Sequence, residues 1–348
     1  MNKYSFLDDY SEGCHASILT AMTNVNLVQQ TAYGEDEYTS KAKVAILRHL
    51  ESADSSIWFV ASGTLANIIV IASCLRSHEA VVAANTGHIV VRETGAIEAT
   101  GHKIITMSTS DGKLSPTIIQ AALDSNSHYP HMAKPRLVYI SNATELGTVY
   151  TRAELSALSE FCKSKELLLF LDGARLGVAL SADKNDLTLS DIARMTDIFW
   201  IGGTKAGALL GEAIVINDRG LADDISFHIK QRGALLAKGR LLGIQFLELF
   251  KAELFFEASR HANAMAAKLS SAMDDGGFRL AAVTESNQVF PIMPNPLIEH
   301  LKKHFDFYVW EKLNTEESII RLVTSWATEE GEVDRFIHEI GNYIHPLD

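Results

Sequence analysis

LLLFLDGAR, residues 167–175, carries the first decision about this chain. From Leu167 to Leu171 every residue is apolar, with no alternation. A strand on a one-sided sheet alternates polar with apolar. A continuous apolar run suits a strand covered on both faces, as in a parallel sheet. Six other runs share this character: SIWFV (56–60), AVVAA (80–84), KIITM (103–107), RLVYIS (136–141), DIFWIG (197–202) and EAIVIN (212–217). Helix-patterned stretches lie among them at 38–51, 64–75, 116–123 and 153–163. Ser115-Pro116 and the capping box Thr151-x-x-Glu154 mark two helix starts. The alternation predicts an α/β fold with a mostly parallel seven-stranded sheet between helices.

The pattern changes past Leu221. One long helical stretch is expected over 234–272, rich in Leu, Ala and Lys. Smaller α/β pieces follow: NQVFPIM, HFDFYVW, SIIRLVT and a closing helix over 329–343. The expected organisation is a large domain with its N-terminal segment over 1–240. A connecting helix and a small C-terminal domain fill 241–348.

The 348 residues are 47% hydrophobic and 21% charged, near the values of an ordinary globular protein. The net charge is −12 and no long Lys/Arg run occurs, which argues against nucleic acid as a partner. The cysteines, Cys14, Cys74 and Cys162, form no C-x-x-C, so a disulfide framework or thiolate zinc site is not expected. MNKYSFLDDYSEG has no apolar signal core, and no apolar stretch is long enough to span a bilayer. A cytoplasmic protein with no membrane partner is expected. Dinucleotide, phosphate-loop, H-E-x-x-H and G-x-S-x-G motifs are absent. HYPH (128–131) could bring two imidazoles together, but no third ligand is evident, and no metal site is expected.

Three features stand at strand ends, where parallel sheets bind ligands. Asp172 ends the most apolar strand, followed by Gly173 and Arg175. Lys205, in GGTKAG, follows another strand among very small residues. Ser62-Gly63-Thr64 lies between a strand and a helix. Free amides at a helix start can cradle a phosphate. A poorly solvated lysine can lose its proton and form a Schiff base with a carbonyl. A fixed carboxylate can pair with a pyridinium nitrogen. Those are the needs of pyridoxal 5'-phosphate. Singly, each feature has a bland alternative: an N-cap, a loop carboxylate, a solvated lysine. Their order and common placement favour the cofactor.

This set resembles the fold-type I pyridoxal phosphate enzymes, and more closely the threonine aldolase branch of the β-eliminating lyase superfamily. FLDDYSEGCHASIL, TAYGEDEYT, NTGHIVVRETGA and IIRLVTSW resemble that family's segments, in order, over nearly the whole chain. Ala16 after His15, and Lys238, depart from its pattern. The resemblance implies retro-aldol cleavage of L-threonine or L-allo-threonine to glycine and an aldehyde. It implies Lys205 as the Schiff-base residue, Asp172 at the ring nitrogen, and Ser62, Gly63 and Thr64 at the phosphate. His88 would stack on the ring, with Glu93 near His88 or the cofactor hydroxyl, and Arg175 beside the cofactor oxygen. Arg321 would bind the substrate carboxylate, with Arg175, Ser11 and Asp9 also candidates there. The catalytic base would be His88, His131 or a water that they position. Lys230 and Lys238 would reach the cofactor phosphate of a neighbouring subunit and Tyr33 its substrate, within a homotetramer built as a dimer of dimers with shared sites. A lyase eliminating a β-substituent is the nearest alternative. A catalytically silent relative would be expected to lack Lys205, Asp172 or Arg321, and all three are present.

Overall fold

The computed structural model describes residues 3–52 and 54–344. Its main sheet has seven strands: β1 (Ser56–Val60), β2 (Glu79–Ala84), β3 (Lys103–Met107), β4 (Lys134–Ser141), β5 (Leu168–Asp172), β6 (Ile198–Gly202) and β7 (Glu212–Ile216). The spatial order is β1-β7-β6-β5-β4-β2-β3. Only β7 runs against the rest, pairing antiparallel with β1 and β6. The expected strands therefore form at their expected places.

Successive strand side chains point to opposite faces. Leu169, Leu171, Phe199 and Ile201 join one apolar layer with Ile46, Phe246 and Leu249. Leu168, Phe170, Ile198 and Trp200 join the other with Ile69, Val70 and Ile229. Two-sided cover explains the continuous apolar runs. Each buried large apolar side chain contributes roughly 1.5–3 kcal/mol. The Thr151–Glu154 capping box forms at the helix Arg152–Ser164, and Ser115 caps Pro116–Ser125.

The stretch expected as one long helix is two, Arg240–Lys251 and Leu254–Asp275. Glu253 sits between them in the left-handed region, with φ 59°. Phe250 and Phe255 stack across the corner, ring centroids 4.9 Å apart. Apolar periodicity continues on both sides of the break, so sequence pattern alone does not reveal it. The second helix spans both units: Phe255 packs under the main sheet, while Met265, Leu269 and Met273 enter the small domain's core.

The small domain is an antiparallel sheet of Ile292–Pro294, Glu317–Val323 and Tyr308–Lys312, with Gln288–Val289 also paired to the central strand. The N-terminus belongs to it physically. Tyr4–Ser5 pairs parallel with Phe305–Asp306, and Phe6 is fully buried among Phe305 and Phe336. The chain then crosses to the main sheet through Asp8, Asp9 and Tyr10. This departs from the expected grouping of the N-terminal segment with the large domain.

The ends of β5 and β6 approach so closely that the next residue must be glycine. A Cβ on Gly173 would stand 1.8 Å from the Trp200 carbonyl oxygen. Gly173→Ala should therefore cost about 3 kcal/mol or more, the upper range of overpacking. The midpoint of denaturant unfolding measures it.

Candidate active site

The carboxyl ends of β4, β5 and β6 open into a cavity of about 880 Å³, closed on the far side by the small domain. Lys205 lies in the single helical turn Thr204–Ala206 that follows β6. Among the described residues its Nζ has no hydrogen-bond or ion-pair partner, and it stands 5.7 Å from the Tyr10 ring centre. Burial and the neighbouring Arg175 charge push its pKa down, against the opposing charges of Asp9, Asp172 and Glu212. The environment thus favours a neutral, nucleophilic amine.

Asp172 is buried at the end of β5. Its Oδ2 accepts from the Tyr139 hydroxyl at 2.5 Å and from Asn67 Nδ2 at 3.1 Å, and its Oδ1 from the Ala174 amide at 3.0 Å. Asn67 also donates to Glu93 at 2.8 Å and accepts from the Trp200 indole at 3.1 Å. Burial, with the charges of Asp172, Glu145 and Glu93, pushes the Tyr139 phenol well up, so it remains a donor.

His88 opens the short helix His88–Val91 after β2. Its Nδ1 lies 2.8 Å from Glu93 Oε1. A carboxylate there assigns the proton to Nδ1 and leaves Nε2 as the acceptor of the neutral ring. Glu93 does not line the cavity; it braces His88 from behind. Glu145 does line it, accepting from the His88 amide at 2.9 Å and from Ser141 Oγ at 2.8 Å. Burial and then the Asp172 charge push the Glu145 pKa up.

Two arginines face the same space. Arg175 forks onto the buried Asp9 at 2.7 and 3.0 Å. Burial works against the Asp9 charge, but Arg175, Lys205 and Asn287 together hold its carboxyl below the usual range. Arg321 is clasped between Tyr308 and Trp310, its guanidinium carbon 5.0 and 4.9 Å from the ring centres. One nitrogen donates to Leu7 O at 3.1 Å, with Asp8 at 3.4 Å, while its buried Nε has no partner. An unsatisfied buried donor on a cation is an anion site in want of its anion.

The phosphate-like corner is the start of the helix Gly63–Cys74. Ser62 caps it, accepting from the Leu65 amide at 3.4 Å. The Gly63 and Thr64 amides find no acceptor among the described residues, and both residues line the cavity. A Cβ at Gly63 would meet the Trp200 ring at 2.8 Å, so this glycine is also a packing requirement.

The cavity therefore gathers Ser62, Gly63, Thr64, His88, Asp172, Arg175, Lys205 and Arg321 from the residues singled out in the sequence. Ser11 is exposed and outside it; Asp8 and Tyr10 of the same segment line it instead. His131 requires correction as a base within its own chain. It lies exposed just before β4, whose eight residues separate it from Ser141 at the cavity end, about 25 Å away. Its ring contacts His128 instead, with centroids 4.9 Å apart. Tyr33, Lys230 and Lys238 are exposed and outside the lining, with Lys230 Nζ 5.0 Å from the Tyr33 ring centre. Tyr139, Asn67, Trp200, Glu145 and Glu212 were not singled out. Inside apolar strands and helices, most of them read as core.

The fold and site define a class: the fold-type I scaffold on which pyridoxal phosphate-dependent aminotransferases and lyases are built. The aspartate aminotransferase of Thermus thermophilus shares that fold, with TM-score 0.73 at 12% identity, covering 98% of this chain and 91% of that one. The beta-eliminating lyase family model matches residues 6–295, and the chain belongs to that family. A threonine aldolase from Leishmania major superposes with TM-score 0.97 at 50% identity, covering 98% of this chain and 99% of that one. The low specificity L-threonine aldolase of Pseudomonas sp. (strain NCIMB 10558) is 35% identical over 96% of this chain and 95% of its own length.

Glu212, at the start of β7, accepts from the Gly203 amide at 3.0 Å and the Thr204 hydroxyl at 2.9 Å. Burial pushes its pKa up to about 8. The folded chain holds this proton where the unfolded chain, with an ordinary pKa of about 4.3, has lost it. Folded stability should therefore fall as pH rises between those values. Glu212→Gln should flatten that part of the profile. Denaturant midpoints of both proteins at about pH 5 and about pH 9 give the difference.

Proposed function

We propose that this chain is a pyridoxal phosphate-dependent aldolase. It cleaves L-threonine, L-allo-threonine and related β-hydroxy-α-amino acids to glycine and an aldehyde. The observation that carries this is the set in one cavity: an unpartnered Lys205 amine, a braced Asp172, and an Arg321 with a vacant donor. The residues fit the cofactor. Lys205 would hold it covalently, Asp172 would face the ring nitrogen, and His88 its flat face. The Gly63 and Thr64 amides, with the Ser62 and Thr64 hydroxyls, would hold its phosphate. When bound, the cofactor supplies an electron sink for the pair released as the Cα–Cβ bond breaks.

The chain's own groups do the rest. Arg321 binds the substrate carboxylate through donors that the protein leaves open, and the Tyr308 and Trp310 rings hold the guanidinium in place. Fixing the carboxylate selects which bond at Cα is placed to break. His88 Nε2 takes the β-hydroxyl proton, and Glu93 stabilises the resulting imidazolium through Nδ1. General-base help of this kind is worth about 10²–10⁴-fold. A water held by His88, or His131 of a second copy, is the alternative base.

Leu27, 92% exposed, with Leu19, Val28 and Tyr33 beside it in sequence, supports cover by a second copy. The proposed assembly is a homotetramer with shared sites, in which Tyr33, Lys230 and Lys238 serve a neighbour. Among the described residues no helix is long and apolar enough to cross a membrane. All three cysteines, Cys14, Cys74 and Cys162, are free, which supports a reducing, cytoplasmic setting.

With pyridoxal phosphate, the wild-type chain should convert L-threonine to equal amounts of glycine and acetaldehyde. Ammonia with a keto acid would overturn the aldolase reading in favour of β-elimination. Arg321→Lys loses the forked contact, about 1.5–3 kcal/mol for a charged hydrogen bond. Its KM should rise roughly 10–100-fold, with kcat changing less. Lys205→Ala should lose turnover altogether.

A further inference from the structure

We propose that His300, His304 and Glu339 form a site for one divalent transition cation of the zinc kind on the small domain, outside the catalytic cavity. His300 lies in the last turn of the helix Asn295–Leu301, and His304 follows four residues later. Glu339 comes from the closing helix, Glu330–Ile344. One ligand atom from each of the three lies within 4.8 Å of the others. His300 Nε2 and Glu339 Oε2 are already 3.1 Å apart. Nitrogen and oxygen ligands at about 2.0–2.2 Å from a tetrahedral zinc are roughly 3.3–3.5 Å from each other. Side-chain rotation alone can close the remaining gap.

The two helices are held together beneath the cluster. Leu297, Ile298 and Leu301 pack with Val333, Phe336 and Ile340 in one apolar core. The ligands therefore start near their places, which lowers the cost of ordering them. The His300 and Glu339 side chains are 32% and 23% exposed, open enough for an ion to enter. Lys302 and Lys303 both lie between the two histidines, and Lys302 is drawn away to Glu299 at 2.8 Å. Two imidazoles and one carboxylate suit zinc and its neighbours; magnesium and calcium prefer oxygen alone. Binding replaces the His300–Glu339 hydrogen bond and needs both imidazoles unprotonated at the ligating nitrogen. Water would complete the fourth position.

The place gives the ion a structural role. The Tyr4 amide donates to the His304 carbonyl at 3.2 Å, where Tyr4–Ser5 joins Phe305–Asp306. That strand pair anchors the segment that runs on to Asp8 and Tyr10 of the cavity. An ion on His304 would tie the base of this segment to the closing helix.

The test uses the full untagged chain, saturated with pyridoxal phosphate after chelator treatment. Zn²⁺ is titrated by calorimetry and Co²⁺ by visible absorption. The expected result is about one equivalent per chain and a higher unfolding temperature with Zn²⁺. His304→Ala and Glu339→Gln should each weaken binding more than about 10-fold and lose the thermal gain, while His128→Ala should not. Absence of micromolar binding would overturn the proposal. Binding unchanged in both variants, or abolished in H128A, would overturn it too.

Discussion

A carboxylate buried at the end of an apolar strand is the constraint on which the rest of the site depends. Asp172 sits where a bare charge would be very costly. It is kept there by Tyr139, Asn67 and the Ala174 amide, and Asn67 is fixed in turn by Trp200 and Glu93. The same residues hold β4, β5, β6 and the first cavity helix in register. His88 joins the network through Glu93. A loss at Asn67 would be felt at Asp172 and His88 together, because partly satisfied buried networks are worse than none.

The second constraint is the return of the chain's two ends over the sheet. The N-terminal segment and the small domain's central strand bring Asp8, Tyr10 and Arg321 to the cavity at the strand ends, with Asp9 behind them on Arg175. Asp9 occupies Arg175 with two hydrogen bonds, while Arg321 keeps its Nε free. That difference supports separate roles for the two arginines in the proposed reaction. Arg175 lines the cavity held by Asp9, and its charge lowers the Lys205 pKa, while Arg321 keeps an open donor on the same space.

The sheet was legible because two-sided burial writes itself as unbroken apolar runs, and capping boxes write themselves as spaced polar pairs. That Lys205, Asp172 and Gly63-Thr64 meet in one cavity was legible because parallel sheets bind ligands at strand ends, and Arg321 was found through the resemblance of IIRLVTSW to a family segment. The break at Glu253 was hidden, since the same apolar period runs through both helices. Tyr139, Trp200 and Asn67 were hidden inside core-like runs, where a polar atom aimed at a carboxylate leaves no pattern. Which end of β4 the His131 loop occupies, and that Asp8 and Tyr10 face the cavity where Ser11 does not, leave no mark in the sequence. In the cluster of His300, His304 and Glu339, the sequence shows two histidines four residues apart but not that Glu339 of the closing helix folds beside them.

The fold delivers one unpaired, poorly solvated amine, that of Lys205, to the cavity. Borohydride reduction of the wild-type chain with bound pyridoxal phosphate, followed by peptide mass mapping, tests this directly. A single modified peptide is expected, with the cofactor fixed on Lys205. Label on another lysine, or none, would contradict it.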